Sequence, residues 1–144
     1  MKKNVLFVCI HNSARSQMAE AFLNQIAGDR FHAESAGIEP GKLNPIVVEA
    51  MREIGIDIAA NPTKSVASMI ERGPHFHHVI TVCDETSAER CPVFPGDGRR
   101  HHWPFADPSS FTGTPEERLA ATRVVRDQIR ERVVRWSEGG AESS

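Results

Sequence analysis

The sequence lacks three features that would indicate particular functions: tyrosine, a large excess of one charge, and a long apolar run. It has no tyrosine among its 144 residues, so it can hold neither a phosphotyrosine switch nor a tyrosine beside a bound aromatic ring. Its 17 Lys and Arg against 19 Asp and Glu give a formal net charge of -2, which creates no attraction to nucleic acid or to a membrane surface. No apolar run approaches the roughly 20 residues of a membrane span, and residues 1–4 lead into a strand pattern rather than a signal peptide. We therefore expect a cytoplasmic, monomeric protein that binds neither nucleic acid nor membrane.

Cysteine is scarce as well, because only Cys9, Cys83 and Cys91 are present. In a cytoplasmic protein, three cysteines favour redox chemistry, catalysis or metal binding over a structural disulfide framework. Zinc is disfavoured, since the Cys83–Cys91 interval is not a Cys-x2-Cys spacing and no fourth ligand is evident. The histidines form no helical i, i+4 pair, so we expect no metal site and place them at the surface and at strand edges: His75, His77, His78, His101 and His102.

The stretch with the clearest chemical pattern is a short apolar run that ends in Cys9 and is followed by Arg15 and Ser16. Apolar residues then recur at helical spacing, at Met18, Ala19, Phe22, Leu23 and Ile26. The pattern predicts a loop that joins the end of a strand to the start of a helix. An α/β fold binds oxyanions at such a place, because backbone N–H groups and the helix dipole both point there.

The residue types of this loop fit a nucleophile in an oxyanion site. A helix N-terminus and a nearby arginine both favour a thiolate, which would make Cys9 nucleophilic. Arg15 can bind a tetrahedral oxyanion through two N–H donors, and Ser16 can donate a hydrogen bond to the thiolate. Asn12 can hold the loop in shape through side-chain to backbone bonds. The alternative is a buried structural cysteine with Arg15 on a helix surface.

The order of predicted elements indicates one α/β domain. Further strands are predicted over residues 31–36, 78–83 and about 100–103, and further helices from Pro45, over residues 65–71, and from Thr114 to about Trp136. Such alternation predicts a parallel sheet with right-handed crossovers and a site at the carboxyl ends of its strands. We assign residues 1–138 to a single catalytic domain and residues 139–144 to a flexible tail.

Cys83 and Cys91 are compatible with a thiol relay. A thiolate can displace a sulfur from a disulfide, and each disulfide can be passed to the next thiol. With Cys9, three thiols permit two transfers, from a deep site to an exposed loop. The alternative is that Cys83 ends a strand, that Cys91 lies in a loop, and that the two are unrelated.

Residues 9–16 resemble the phosphate-binding loop of the low-molecular-weight protein tyrosine phosphatase superfamily. Together with the cysteine pair, several other segments resemble its thioredoxin-coupled arsenate reductase family: residues 35–38, 82–83, 91–92, 102–105 and 107–108. The resemblance implies a three-layer α/β fold, with a four-stranded parallel sheet of order 2-1-3-4 flanked by helices. It also implies an oxyanion, arsenate or a phosphate-like ion, bound by the backbone of one loop: Ile10, His11, Asn12, Ser13, Ala14, Arg15 and Ser16.

The same resemblance implies a reaction sequence. Cys9 attacks arsenic while Asp107 supplies a proton to the departing oxygen. Cys83 then attacks Cys9 and releases arsenite, and Cys91 attacks Cys83. The Cys83–Cys91 disulfide is the only redox group required, and thioredoxin reduces it.

One departure from the family concerns a cation. Some members bind potassium beside the loop, at positions that match Asn12, Glu20 and Ser35. Where those members carry an additional Asp, this chain has Lys64. We expect the ammonium of Lys64 to replace the ion near Glu20, so that the protein needs no potassium.

Two other functions remain compatible with the sequence. A phosphatase would use Cys9, Arg15 and Asp107 without a second thiol, although Ser109 and Ser110 stand where the phosphatases usually carry tyrosines. Asp before Pro is also an ordinary loop element. A phosphocysteine carrier or other oxyanion-binding module would need only the cysteine loop.

Overall fold

The computed structural model describes residues 2–9, 14–39, 41–72, 76–82 and 98–140. Strands and helices alternate through most of the chain: β1 Lys3–Cys9, α1 Arg15–Ala27, β2 Phe31–Gly37, α2 Pro45–Arg52, α3 Val66–Arg72, β3 His78–Thr81, β4 Arg99–His102 and α4 Pro115–Arg135. A 3-10 turn, Pro108–Ser110, precedes α4, and a π-helical turn, Trp136–Gly140, follows it. Within these described ranges, no helix is both long and apolar enough to cross a bilayer.

The four strands form one parallel sheet in the order β2-β1-β3-β4. Cys9 pairs with Gly37 of β2, and Val8 pairs with Thr81 of β3. Thr81 in turn pairs with His102 at the end of β4. The carboxyl ends of the strands therefore meet at one edge, and the predicted strand order is confirmed.

The central strand β1 is buried on both faces, which creates three layers. Its side chains alternate with the period of two that a strand imposes. Val5, Phe7 and Cys9 face a core that contains α1, α2 and α4, whereas Leu6 and Val8 face a smaller core against α3. The first core includes the predicted apolar side of the last helix: Val125, Ile129, Val133 and Trp136. A strand buried on both faces explains the unbroken apolar run in the sequence.

Local capping chemistry sets the starts of two helices. Asn44 caps α2 by accepting hydrogen bonds from the Ile46 and Val47 amides, and Pro45 occupies the first helical position. Thr114 and Glu117 form a reciprocal capping box at the start of α4. The predicted helix starts are confirmed. The π-helical turn after α4 ends at Gly140, and the flexible tail assigned to residues 139–144 stays a prediction.

Two histidines are buried, contrary to the surface positions predicted for them. His78 and His101 are 6% and 8% exposed, and His78 Nδ1 lies 3.0 Å from His101 Nε2. Trp136 covers the pair, with ring centroids 5.0 Å from His78 and 5.8 Å from His101. Both residues lie on strands, but the expected exposure to solvent was wrong because the Trp136 ring covers them.

We predict that this histidine pair makes folding sensitive to mild acid. Burial, reinforced by repulsion from His101, lowers the pKa of His78 to about 4, and burial also lowers the pKa of His101. The unfolded chain binds protons below about pH 6.5 while the folded pair stays neutral, so stability is complete above pH 6.5 and is lost as pH falls toward 4. Urea unfolding should show a loss of about 2 kcal/mol from His78 between pH 7 and pH 5.

The matched variants are His78→Gln and His32→Gln, since the His32 side chain is 55% exposed. The acid-dependent loss of unfolding free energy should shrink in the first variant and persist in the second. An equal pH slope in wild type and His78→Gln would contradict the prediction.

Candidate active site

The corner between β1 and α1 brings the predicted nucleophile to a helix start. β1 ends at Cys9, and α1 begins at Arg15. The N-cap residue of α1 is Ala14, which makes no side-chain capping bond to the first turn. The positive end of the helix dipole is thus directed at the corner without a competing side-chain cap, as in helix N-termini that bind anions.

Cys9 and Ser16 are in direct contact in the interior. The Cys9 thiol is free and 2% exposed, and Ser16 is fully buried. Cys9 Sγ lies 2.9 Å from Ser16 Oγ. At this distance the serine hydroxyl can donate a hydrogen bond to a thiolate. The geometry is the one expected from the sequence.

Arg15 joins the β1–α1 corner to the loop after β4. Its side chain is 3% exposed; Nη1 donates to Phe105 O at 3.1 Å, and Nη2 lies 3.6 Å from Asp107 Oδ2. Arg15 Nε is buried and has no hydrogen-bond partner in the described part of the chain. A buried donor without a partner costs free energy unless a ligand meets it. The corner therefore has a guanidinium N–H that an oxyanion could accept from.

Asp107 is placed beside Arg15 by a turn that it caps itself. Asp107 Oδ1 accepts from the Ser109 amide at 2.9 Å, and Ser110 Oγ donates to Asp107 O at 2.7 Å. Its other oxygen, Oδ2, is the one near Arg15. The turn therefore uses one carboxylate oxygen and leaves the other at the site, and the side chain is 28% exposed.

Glu20, Ser35 and Lys64 form a second polar cluster between α1 and β2. Ser35 Oγ donates to Glu20 Oε1 at 2.8 Å, and Lys64 Nζ lies 3.8 Å from the same oxygen. Lys64 Nζ is also 3.6 Å from Glu34 Oε1, a contact that the sequence did not suggest. Burial raises the pKa of Glu20, while the Ser35 hydrogen bond and the Lys64 charge partly oppose the increase. The ammonium thus lies where it was expected.

Several predicted site residues lie outside the described residues, and their roles stay predictions: Ile10, His11, Asn12, Ser13, Cys83 and Cys91. In the ranges that are described, no three His, Cys, Asp or Glu side chains come together to hold a metal. No cofactor site is evident among them, and the need for none stays a prediction.

Sequence reasoning missed two groups around the site. Phe105 acts through its main-chain oxygen, which carries no sequence signal. Asn44 caps α2 in the structure, and its Nδ2 also donates to Ser109 Oγ at 3.0 Å. The amide side chain before Pro45 was the available signal for the cap, and nothing in the sequence pointed to Ser109.

The comparisons with known proteins agree with this geometry. The family described as low molecular weight phosphotyrosine protein phosphatase matches residues 4–141. An arsenate reductase of Bacillus licheniformis is 43% identical over 139 residues, covering 96% of this chain and 98% of that protein.

Solved structures give the same result. An arsenate reductase in an oxidized state superposes with a TM-score of 0.76 at 29% identity, covering 94% of this chain and 97% of the other. An arsenate reductase in a phosphate-binding state gives a TM-score of 0.74 at 29% identity, with the same coverage of 94% and 97%.

We predict that wild-type protein responds equally to K⁺ and Na⁺, because Lys64 supplies the positive charge beside Glu20. The Lys64→Gln variant should be destabilised by about 1 kcal/mol or more, since it leaves Glu20 and Glu34 without that charge. It should also be stabilised by added monovalent cations. Melting temperatures in matched KCl and NaCl series measure both effects, with the exposed Lys42→Gln as control. A clear rise in the wild-type melting temperature in K⁺ over Na⁺ would refute the prediction.

Proposed function

The chain belongs to the low molecular weight phosphotyrosine protein phosphatase family, and on that premise we propose that it is an arsenate reductase that works by a thiol–disulfide relay. The observation that carries the proposal is the grouping of the Cys9 thiol, Ser16, Arg15 and Asp107 at one sheet edge. The near full-length similarity of the chain to arsenate reductases favours arsenate reduction over phosphatase or phosphocysteine-carrier activity.

Arsenate fits the corner as a tetrahedral oxyanion. Arg15 Nε is a buried donor, and the start of α1 favours negative charge. Backbone amides between Cys9 and Arg15 would supply further donors, as in other anion-binding loops that lead into a helix. A solved arsenate reductase that binds phosphate supports an oxyanion of this shape.

The first chemical step forms a bond between Cys9 and arsenic. The Cys9 thiolate, which accepts a hydrogen bond from Ser16, attacks arsenic, and one arsenic–oxygen bond breaks. The departing oxygen leaves as water after Asp107 transfers a proton to it. Arg15 holds the remaining oxygens and balances the charge on them.

The second step reduces arsenic. Cys83 attacks the Cys9 sulfur, a disulfide forms, and the electron pair of the sulfur–arsenic bond stays on arsenic, which leaves as arsenite. Support comes from Val82, the residue before Cys83, whose amide donates to Val8 O at 2.9 Å. The chain therefore approaches Cys83 on the strand next to Cys9.

The relay then returns the enzyme to its reduced state. Cys91 attacks Cys83 and frees Cys9, and thioredoxin reduces the resulting Cys83–Cys91 disulfide. A cytoplasmic location fits this step, because reduced thioredoxin is maintained there. The physiological outcome would be arsenic detoxification by conversion of arsenate to arsenite.

We predict that Cys83→Ser separates reduction from phosphatase chemistry. NADPH consumption with thioredoxin and thioredoxin reductase should depend on arsenate in the wild type. It should fall to background in Cys83→Ser, because the disulfide that expels arsenite cannot form. Any release of phosphate from an aryl ester should survive in this variant and disappear in Cys9→Ser. A flat NADPH trace with arsenate, alongside brisk ester cleavage by the wild type, would favour the phosphatase.

We also predict that Asp107→Asn lowers kcat for arsenate by about 10²-fold or more, because the amide cannot transfer the proton. KM should change little, since Arg15 and the loop bind the oxyanion. Steady-state kinetics with thioredoxin measure both constants. The control is Asp29→Asn, whose side chain is 81% exposed. A kcat within twofold of wild type would remove Asp107 from the proposed mechanism.

A further inference from the structure

We propose that Asn44 is the positioning residue for Asp107. Asn44 caps α2 and also binds the turn that carries Asp107. The inference rests on the proposed function, in which Asp107 supplies a proton to the departing oxygen. It adds that the start of α2 sets where the carboxyl lies.

The turn behaves as one unit because its own hydrogen bonds fix it. Asp107 Oδ1 accepts from the Ser109 amide at 2.9 Å, and Asp107 O accepts from the Ser110 amide at 3.0 Å and the Ser110 hydroxyl at 2.7 Å. Pro108 lies between them with a restricted φ. The position of Ser109 therefore determines the position of Asp107.

Asn44 holds Ser109 through a side-chain hydrogen bond. Asn44 Nδ2 donates to Ser109 Oγ at 3.0 Å, and Asn44 itself is only 9% exposed. Asn44 Oδ1 accepts from the Ile46 amide at 2.9 Å and from the Val47 amide at 3.4 Å. Capping thus fixes the orientation of the amide group and turns its N–H donors toward the turn.

The residue type suits both tasks. Ser, Thr, Asp and Asn are the preferred helix caps. Ser and Thr are shorter, and an ionised Asp has no donor, whereas Asn has an acceptor for the helix and two N–H donors to spare. Asn44 can therefore cap α2 and bind Ser109 at the same time.

The helix α2 is a firm reference point because its C-terminal end is fastened to α4. Arg126 Nη1 donates to Ala50 O at 2.9 Å and lies 3.1 Å from Glu53 Oε1. Arg123 binds both carboxylate oxygens of Glu53, and Met51 is fully buried. The hydrogen bond from Asn44 to Ser109, called the tether below, thus connects Asp107 to the main core through two packed helices.

Breaking the tether should affect proton transfer more than binding. Asp107 Oδ2 lies 3.6 Å from Arg15 Nη2, so a shift of the turn by an ångström would alter the geometry of the acid at the site. The oxyanion itself would still be bound by Arg15 and the loop after β1. A lower kcat with an almost unchanged KM is the expected signature.

The experiment compares Asn44→Ser, which keeps a capping oxygen but cannot reach Ser109, with Ser109→Ala, which removes the acceptor. Each should lower kcat for arsenate about 3- to 10-fold with KM within twofold. The double variant should lose no more kcat than either single variant, because the two single variants and the double variant all lack the Asn44–Ser109 hydrogen bond. Ser109→Thr keeps the hydroxyl and should restore kcat. Ser68→Ala, on α3, is the matched control for serine removal.

The Asp107→Asn background provides the decisive comparison. If Asn44 acts through Asp107, adding Asn44→Ser to Asp107→Asn should reduce kcat no further. An equal additional loss in that background, or an increase in KM instead of a decrease in kcat, overturns the positioning role. Full activity of Ser109→Ala overturns it as well.

Failure of the proposed function can be recognised separately. If the wild type shows no arsenate-dependent turnover, the reductase assignment fails, and the tether is judged by hydrogen exchange of the Ser109 amide, which donates to Asp107 Oδ1. Asn44→Ser should accelerate that exchange at least fivefold and leave the Met51 amide within α2 unchanged. Equal exchange at Ser109 in both proteins overturns the inference even then.

Discussion

The parallel pairing of β1 with β2 and β3 is the constraint on which the site depends. Parallel strands bring their carboxyl ends to the same edge, and here Cys9 pairs with Gly37 and the preceding Val8 pairs with Thr81. β1 can occupy the centre of the sheet because residues 5–8 are fully buried. Cys9 is therefore held by the most deeply buried of the described strands, while the groups around it come from the connections that leave the sheet.

Burial of Arg15 is the next constraint, because a guanidinium that is 3% exposed needs partners for its charge and its donors. Phe105 O and Asp107 provide partners for Nη1 and Nη2, and both belong to the loop after β4. The charged side chain at the start of α1 thus holds the loop after β4 in place. In the proposed reaction the same guanidinium binds an oxyanion, so the contact that closes the corner would also locate the acid beside the ligand.

The cluster of Glu20, Glu34 and Lys64, next to the site, also balances the charge of partly buried side chains. Two carboxylates near one another repel, and burial makes the charged form of Glu20 less favourable. An ammonium within 3.8 Å of both offsets this repulsion without an external ion. A covalently attached cation is always present, so we expect the support beneath β2 to need no added cation.

Features that depend on neighbours in the chain could be predicted from the sequence, whereas contacts between distant segments could not. The apolar run of β1 and the cap at Thr114 are local patterns, and the structure has both. Burial of His78 depends on Trp136, and the Arg15 contact joins residues 90 apart along the chain through a main-chain oxygen. Cys9 and Arg15 flank one short connection, so their proximity could be predicted from the sequence, whereas the Asn44–Ser109 contact required the fold.

The two oxygens of the Asp107 carboxyl show why contacts between distant segments matter for the proposed proton transfer. Oδ1 is held by the Ser109 amide, and Oδ2 faces Arg15. A carboxyl attached only to the arginine would follow every movement of that side chain. One attached only to its turn would have no fixed relation to the ligand. In the proposed mechanism, Asn44 fixes the turn to α2 and Arg15 fixes the opposite oxygen. The acid and the oxyanion site would then keep one relative position, and proton transfer would need a shift of the proton rather than of the loop.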